Sequence, residues 1–333
     1  NNLKQTQKRN SFINFNMPAH LDAVVYQDVD PYYDSTVTRG FISGTGDIGY
    51  EDNQGMTVEG AFKFPAFVKN FDKVHREFLE VSLFGMQSAS SDATYPGTTT
   101  YSTDNANFQV FAVRTAPFSK DVYFKLTSLD NPKPFNFTLT SSVYRGVYND
   151  ENWDISVALR PLLYPYANGL VSGSNIRSTA HNPDKYEVVF RGFNNKLGEI
   201  NNSFELTASI TKAIAQNMLR ANKRIYAGAR NENITGSNLV QSDVLLRATR
   251  YWTKFVDNRT LKQHVLDREN YGITNTFEYT DFLPHDAGTP LADMNAYSHN
   301  FNTLALNWYF GSITGSDASG NFYTSDLSSG SVA

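Results

Sequence analysis

Met56-Thr-Val-Glu-Gly-Ala-Phe-Lys-Phe64 decides the fold class of this chain. On an extended backbone Met56, Val58, Gly60, Phe62 and Phe64 share one face, and Thr57, Glu59, Ala61 and Lys63 share the other. Successive side chains of a strand point to opposite sides, so this alternation marks a half-buried β-strand. The same pattern recurs in both directions. Upstream, residues 11–16 (SFINFN), 23–26 (AVVY) and 41–43 read as strands. Downstream come 78–85, 107–114, 122–128, 136–142, 153–160, 186–192, 204–209, 224–229 and 242–248. In 153–160, Trp153, Ile155, Val157 and Leu159 fall on one face, and Gly192 is expected to end the strand before it. Helical spacing is sparse. Residues 210–221 and 260–267 carry it, the second with Asp257 or Asn258 as its cap and Gly272 beyond its end. About a dozen strands separated by turn signals favour a two-sheet antiparallel sandwich, all-β, with one or two short helices.

Composition narrows the classes. The 333 residues include 46 aromatics (24 Phe, 19 Tyr and 3 Trp), enough for a core between two sheets. With 29 Lys+Arg against 33 Asp+Glu the net charge is −4, which argues against a nucleic-acid partner, whose phosphates need a basic stripe. The absence of Cys excludes a disulfide framework, a thiolate zinc site and a thiol nucleophile. No apolar run is long enough to cross a membrane as a helix. Residues 1–10 read as a polar linker, 11–275 as the sandwich, and 276–333 as a C-terminal extended arm or the start of a following module. Both ends are expected to continue into a longer polypeptide.

Catalytic signatures are scarce. Gly44-Thr-Gly-Asp-Ile-Gly49 has the letters of a dinucleotide loop, but a strand rather than a helix follows, so it reads as a glycine turn. No H-E-x-x-H, G-x-S-x-G or Walker A run occurs. The six histidines (His20, His75, His181, His264, His285 and His299) are scattered and expected at the surface or half-buried. Glycoside hydrolysis needs two carboxylates across a cleft, and no Glu-x-Asp-x-x-Glu run places acids on one strand face. Asp150, Glu151 and Asp154 read as a turn leading into a strand. The best cation candidate is Asp28, Asp30 and Asp34, three hard oxygen ligands for Ca²⁺, set against the plainer reading of a solvated acidic turn. Tyr164 and Tyr166 could present a glycan- or partner-binding surface, as could the Ser/Thr-rich loop 88–105; ordinary packing is the competing reading. The sequons at Asn136, Asn201, Asn233 and Asn258 are what chance predicts in a chain so rich in Asn, Ser and Thr.

The order of segments resembles the laminin-G-like, or concanavalin A-like, jelly roll. The residues that carry the likeness are the glycine turn before Met56, the turn Asn149-Asp-Glu-Asn-Trp153, the strand from Tyr186 to Gly192, Tyr226-Ala-Gly-Ala229, Ile234-Thr-Gly236, and Asp243-Val-Leu-Leu-Arg247 leading to Arg250-Tyr-Trp252 and a short helix. The resemblance covers roughly residues 11–275 and implies a jelly-roll sandwich. The chain departs from the family in lacking the usual His after Trp153, and no sugar- or calcium-binding set carries over. The missing cysteines weigh against a eukaryotic secreted member. A looser likeness is to large structural proteins of tailed bacteriophages, carried by Thr303-Leu-Ala-Leu-Asn-Trp308, Ser316-Asp-Ala-Ser-Gly-Asn321 and Asp326-Leu-Ser-Ser-Gly330. Laminin-G-like modules there serve as building or adhesive units.

These readings imply a non-catalytic structural or adhesive module of a large assembly, a virion, located at the particle surface. Its partners would be other virion proteins or copies of itself. The chain is expected not to be an enzyme and to need no cofactor, calcium excepted. Carbohydrate recognition is the alternative, and glycoside hydrolysis comes third.

Overall fold

A computed structural model describes residues 13–14, 21–29, 55–66, 78–88, 107–129, 133–162, 185–220, 223–232, 236–268, 304–310 and 326–328. The first strands are β1 (Ile13–Asn14), β2 (Val24–Val29), β3 (Met56–Phe64), β4 (Glu80–Ser88) and β5 (Phe108–Arg114). They are followed by β6 (Val122–Thr127), β7 (Leu139–Thr140), β8 (Glu151–Pro161), β9 (Lys185–Lys196) and β10 (Glu199–Thr211). Helix α1 (Lys212–Arg220) leads to β11 (Lys223–Gly228), β12 (Arg230–Asn231), β13 (Asn238–Val240) and β14 (Leu245–Trp252). Helix α2 (Asn258–Leu266) and β15 (Leu304–Tyr309) complete the order.

The alternation in β3 has its expected consequence. Met56, Val58, Phe62 and Phe64 are fully buried and face the other sheet, which places Glu59 on the outer face. The larger sheet runs β1-β14-β3-β8-β9-β10, with β15 also paired to β14. The smaller runs β2-β11-β4-β5-β6-β7, and β12 and β13 pair separately. Every strand pairing is antiparallel. The chain is an all-β, two-sheet antiparallel sandwich with two short helices.

Aromatic rings lock the sheets together. Phe62 stacks on Phe84 at 6.0 Å, and Phe124 meets Trp153 at 4.8 Å and Phe204 at 5.6 Å. Gly192 does not end its strand, which continues to Lys196. The glycine is there because the Phe204 ring lies over it: a Cβ at Gly192 would stand 2.2 Å from Phe204 Cε1. Residues 304–309, part of the segment read as an arm, are a buried strand of the chain's own larger sheet. Helix α1 begins at Lys212, because Ile210 and Thr211 still pair with β9.

Candidate functional site

The outer face of the larger sheet carries a polar row. Asn307, Arg250, Glu59, Ser156, Arg191 and Glu205 stand in register across β15, β14, β3, β8, β9 and β10. Each strand contributes one residue, so no local run of sequence announces the row. Helix α2 lies over it. Asp257 caps the helix, its Oδ1 accepting from Thr260 N at 2.7 Å. Asn258 then accepts from Arg191 Nη1 at 3.0 Å and donates to Glu205. The Val256 carbonyl takes Arg191 Nη2 at 2.8 Å. Leu261 and Val265 pack on Phe193 and Trp252 below.

Glu59 is the centre of this arrangement. Trp252 Nε1 donates to it at 2.5 Å, and His264 Nδ1 lies 3.1 Å from its carboxylate. The His264 and Trp252 rings stack at 5.3 Å. Burial alone would raise the Glu59 pKa, but His264, Arg250 and the Trp252 hydrogen bond outweigh it and bring it down to about 2. The carboxylate is therefore ionised, and His264 Nδ1–H donates to it. The expectation of a surface or half-buried histidine is corrected at His264, which is buried because α2 presses it onto Trp252.

Asp154 is the diagonal neighbour of Glu59, since Glu59 pairs with Ser156 and Ala61 with Asp154. Diagonal neighbours on adjacent strands stand about 7–8 Å apart. Arg268 holds Asp154 with bonds of 2.9 and 3.0 Å. Burial still raises the Asp154 pKa, outweighing Arg268 and Arg247, and the Glu59 charge adds in the same direction. Burial, helped by Arg160, lowers Arg191 to about 10. An acid pair whose pKa values are pushed apart, one down and one up, is the electrostatic pattern of general acid–base chemistry. Here Glu59, Asp154, Arg250, His264 and Arg268 enclose a cavity of only about 10 Å³, room for one water and far short of a sugar ring. Both carboxylates are engaged, and in this state the cluster holds α2 to the sheet.

A second buried charge set ties the sheets together. Arg114 Nη2 donates to Asp243 Oδ2 at 2.6 Å, Tyr148 OH donates to Asp243 Oδ1 at 2.7 Å, and the guanidinium lies 3.8 Å over the Tyr148 ring.

Of the residues singled out from sequence, the backbone of Asp28 lies in β2. Asp30, Asp34, Tyr164, Tyr166, the 44–49 glycine turn, the loop 88–105 apart from its first residue, which ends β4, and the other five histidines lie outside the described residues. Among the described residues no group of acids and histidines is arranged to hold a metal ion, and no helix is long and apolar enough to cross a membrane. The acid pair was missed because its members come from two strands, and only pairing in register brings them together.

No protein-family model and no curated protein matches this chain. Its similarities are to solved all-β structures. The enzymatically active domain of tailspike protein 2 from bacteriophage CBA120 is 8% identical, over 64% of this chain and 24% of that one, with a TM-score of 0.33. The receptor-binding domain of botulinum neurotoxin type G is 10% identical, over 65% of this chain and 37% of its own, at 0.29. The alginate lyase AlyA5 of Zobellia galactanivorans is 8% identical, over 71% of this chain and 85% of that one, at 0.30. The chain thus spans about a quarter of the tailspike domain's length. The expectation that the chain is not an enzyme is corrected by these findings, since an alginate lyase and an enzymatically active domain stand among its structural neighbours.

Proposed function

We propose that this chain is a structural or adhesive module of a large extracellular assembly of the virion kind, of laminin-G-like architecture, joined to its neighbours by protein–protein contacts. The observation that carries the reading is β10. It is an edge strand of thirteen residues, and among the described residues no strand pairs with its far side. Its outward Ser203, Glu205, Thr207, Ser209 and Thr211 are all exposed. Long unpaired edges are templates for a strand from another chain, and isolated proteins usually shorten or cover them. The C-terminal segment does not support the reading, because residues 304–309 belong to the chain's own sheet.

Mass spectrometry of particles purified from the source of the sequence is expected to recover peptides of this chain, and backbone amides of β10 should exchange more slowly there than in the isolated chain. Particles free of the chain would overturn the reading. A glycan array run with and without a chelator tests the lectin alternative, and with it calcium at Asp28, Asp30 and Asp34.

The divided acid pair favours one other reading, cleavage of a polysaccharide by Glu59 and Asp154 once α2 lifts. A panel of acidic and neutral polysaccharides tests it. Activity abolished by both Glu59→Gln and Asp154→Asn supports it, and no activity on any member of the panel sets it aside.

A further inference from the structure

On the α2 side of the larger sheet, Ser156 Oγ, Arg191 Nε and His264 Nε2 are buried without a hydrogen-bond partner. Ser156 and Arg191 follow Glu59 in the polar row, and His264 meets Glu59 from the helix. Beside them Leu261 and Val265 make an ordinary apolar seat on Phe193 and Trp252. An orphaned buried polar group costs stability, and native interfaces rarely keep several together. The helix therefore fits its apolar seat well and the polar row only in part.

The seating of His264 is a second observation. Its ring lies on the Trp252 indole, centroids 5.3 Å apart and planes 10° from parallel. Its Nδ1–H meets the Glu59 carboxylate at 3.1 Å, and Trp252 Nε1 donates to the same carboxylate. A sugar residue is held in the same manner, with an indole under its apolar face and a carboxylate taking a hydroxyl at its edge. Trp252 and Glu59 both belong to the sheet, and only the stacked ring comes from the helix. Along the row Arg250 and Arg191 offer donors, Glu59 and Glu205 offer acceptors, and Ser156 and Asn307 offer both. Two arginines against two glutamates give no basic field for a polyanion, and they suit hydroxyls, which donate and accept at once. Six strands at a spacing of about 4.8 Å make the row about 24 Å long, room for several sugar residues.

We propose that α2 is an autoinhibitory plug, in which His264 stands in for a sugar ring on a Trp252–Glu59 subsite, and that a neutral oligosaccharide takes the row when the helix swings off. Opening releases Glu59 from His264, and it releases Arg191 from Asn258 and the Val256 carbonyl. The Arg268–Asp154 pair just past the helix is the other clasp that must part. Ser156 Oγ and Arg191 Nε then gain hydroxyls to bond. The sugar binds open molecules alone, so its apparent affinity is lowered by the fraction that is open. The inference rests on the polysaccharide reading of the Glu59–Asp154 pair for its setting, and it adds the control of that site and the ring-binding subsite beside it.

The test compares the full chain with His264→Ala, which removes the stacked ring, and Asp257→Ala, which removes the exposed cap of the helix. Acrylamide quenching of tryptophan emission reports opening, because Trp153 and Trp308 lie in the main core while Trp252 lies under His264. Immobilised neutral hexasaccharides of glucose, mannose and galactose are the binding probes. Both variants are expected to quench more readily, and to bind at least one probe about five- to tenfold more tightly than the wild type. Adding Glu59→Gln to His264→Ala should cancel the gain. Variants that open yet bind no probe more tightly overturn the inference, and so do variants that stay closed. Should His264→Ala fail to fold, Asp257→Ala decides by itself on the same two readings. Tighter binding without cleavage keeps the plug and sets the cleavage reading aside. Cleavage by the wild type that neither variant increases sinks the plug and leaves that reading standing.

Discussion

At Glu59 two hydrogen bonds, from Trp252 and His264, and the nearby Arg250 charge act on one buried carboxylate. Glu59→Gln keeps the shape and removes the charge that the Trp252 and His264 hydrogen bonds and the nearby Arg250 act on. Removing one partner from a buried pair typically costs about 3–5 kcal/mol, and a similar loss is expected here at pH 7. The pH dependence has a definite sign. The native pKa of about 2 lies below the ordinary 4.5, so this contribution is present above about pH 4.5 and is lost as the pH falls toward 2. The wild type should therefore weaken over that range by an amount the variant lacks, on the order of 3 kcal/mol. Asp154 works in the opposite sense. Its raised pKa means that the ionised form opposes folding and that protonation relieves it, so Asp154→Asn should cost less than Glu59→Gln. Urea unfolding at pH 7 and pH 3 checks both, and equal acid sensitivity in wild type and Glu59→Gln would contradict the account.

At the scale of elements, local pattern and register part company. The alternation in β3 and β8 is visible in sequence because each has one face in a dry core and one outside it. The end of β9 was misread, since a glycine normally punctuates a strand, whereas Gly192 makes room for an aromatic ring from β10. The expected strand at 136–142 shrinks to Leu139–Thr140, with prolines at 132 and 134 leading into it. The polar row was not legible at all. Its six members are set by five pairings, and a bulge between Leu246 and Ala248 shifts the register that brings Arg250 opposite Glu59. The packing at Gly192 gives a prediction at this scale. Gly192→Ala would bring a methyl group against the Phe204 ring and within 2.9 Å of Ile155 Cδ1. The ring is also stacked on Phe124, so it cannot swing away freely. Overpacking of this kind costs about 1–3 kcal/mol. A fall in denaturant midpoint at unchanged slope would report it, and an unchanged midpoint would show that the ring moves at no cost.

For the whole molecule the question is where the folding unit ends. The sequence placed that limit at residue 275, because periodicity fades there before the short run at 303–310. That run supplies more than an edge. Leu306, Trp308 and Phe310 belong to the main core, Leu304 joins the cluster beneath α2, and Asn307 accepts from Arg250 at 3.2 Å. Asp326 then holds the strand from outside, its Oδ1 accepting from Asn307 N at 2.9 Å. Losing one buried tryptophan costs about 3–5 kcal/mol, against about 5–15 kcal/mol for the stability of an ordinary domain. A fragment of residues 1–275 loses Trp308 and its three apolar companions together, and it leaves the side of β14 from Ala248 to Trp252 unpaired. It is therefore expected to show no cooperative unfolding transition. A synthetic peptide of residues 301–330, added in excess, should restore the transition by strand addition to β14, with a midpoint that rises with peptide concentration. Circular dichroism melts of the fragment alone, the fragment with peptide and the full chain decide the matter. A fragment that melts cooperatively at the temperature of the full chain would place the limit of the folding unit back at residue 275.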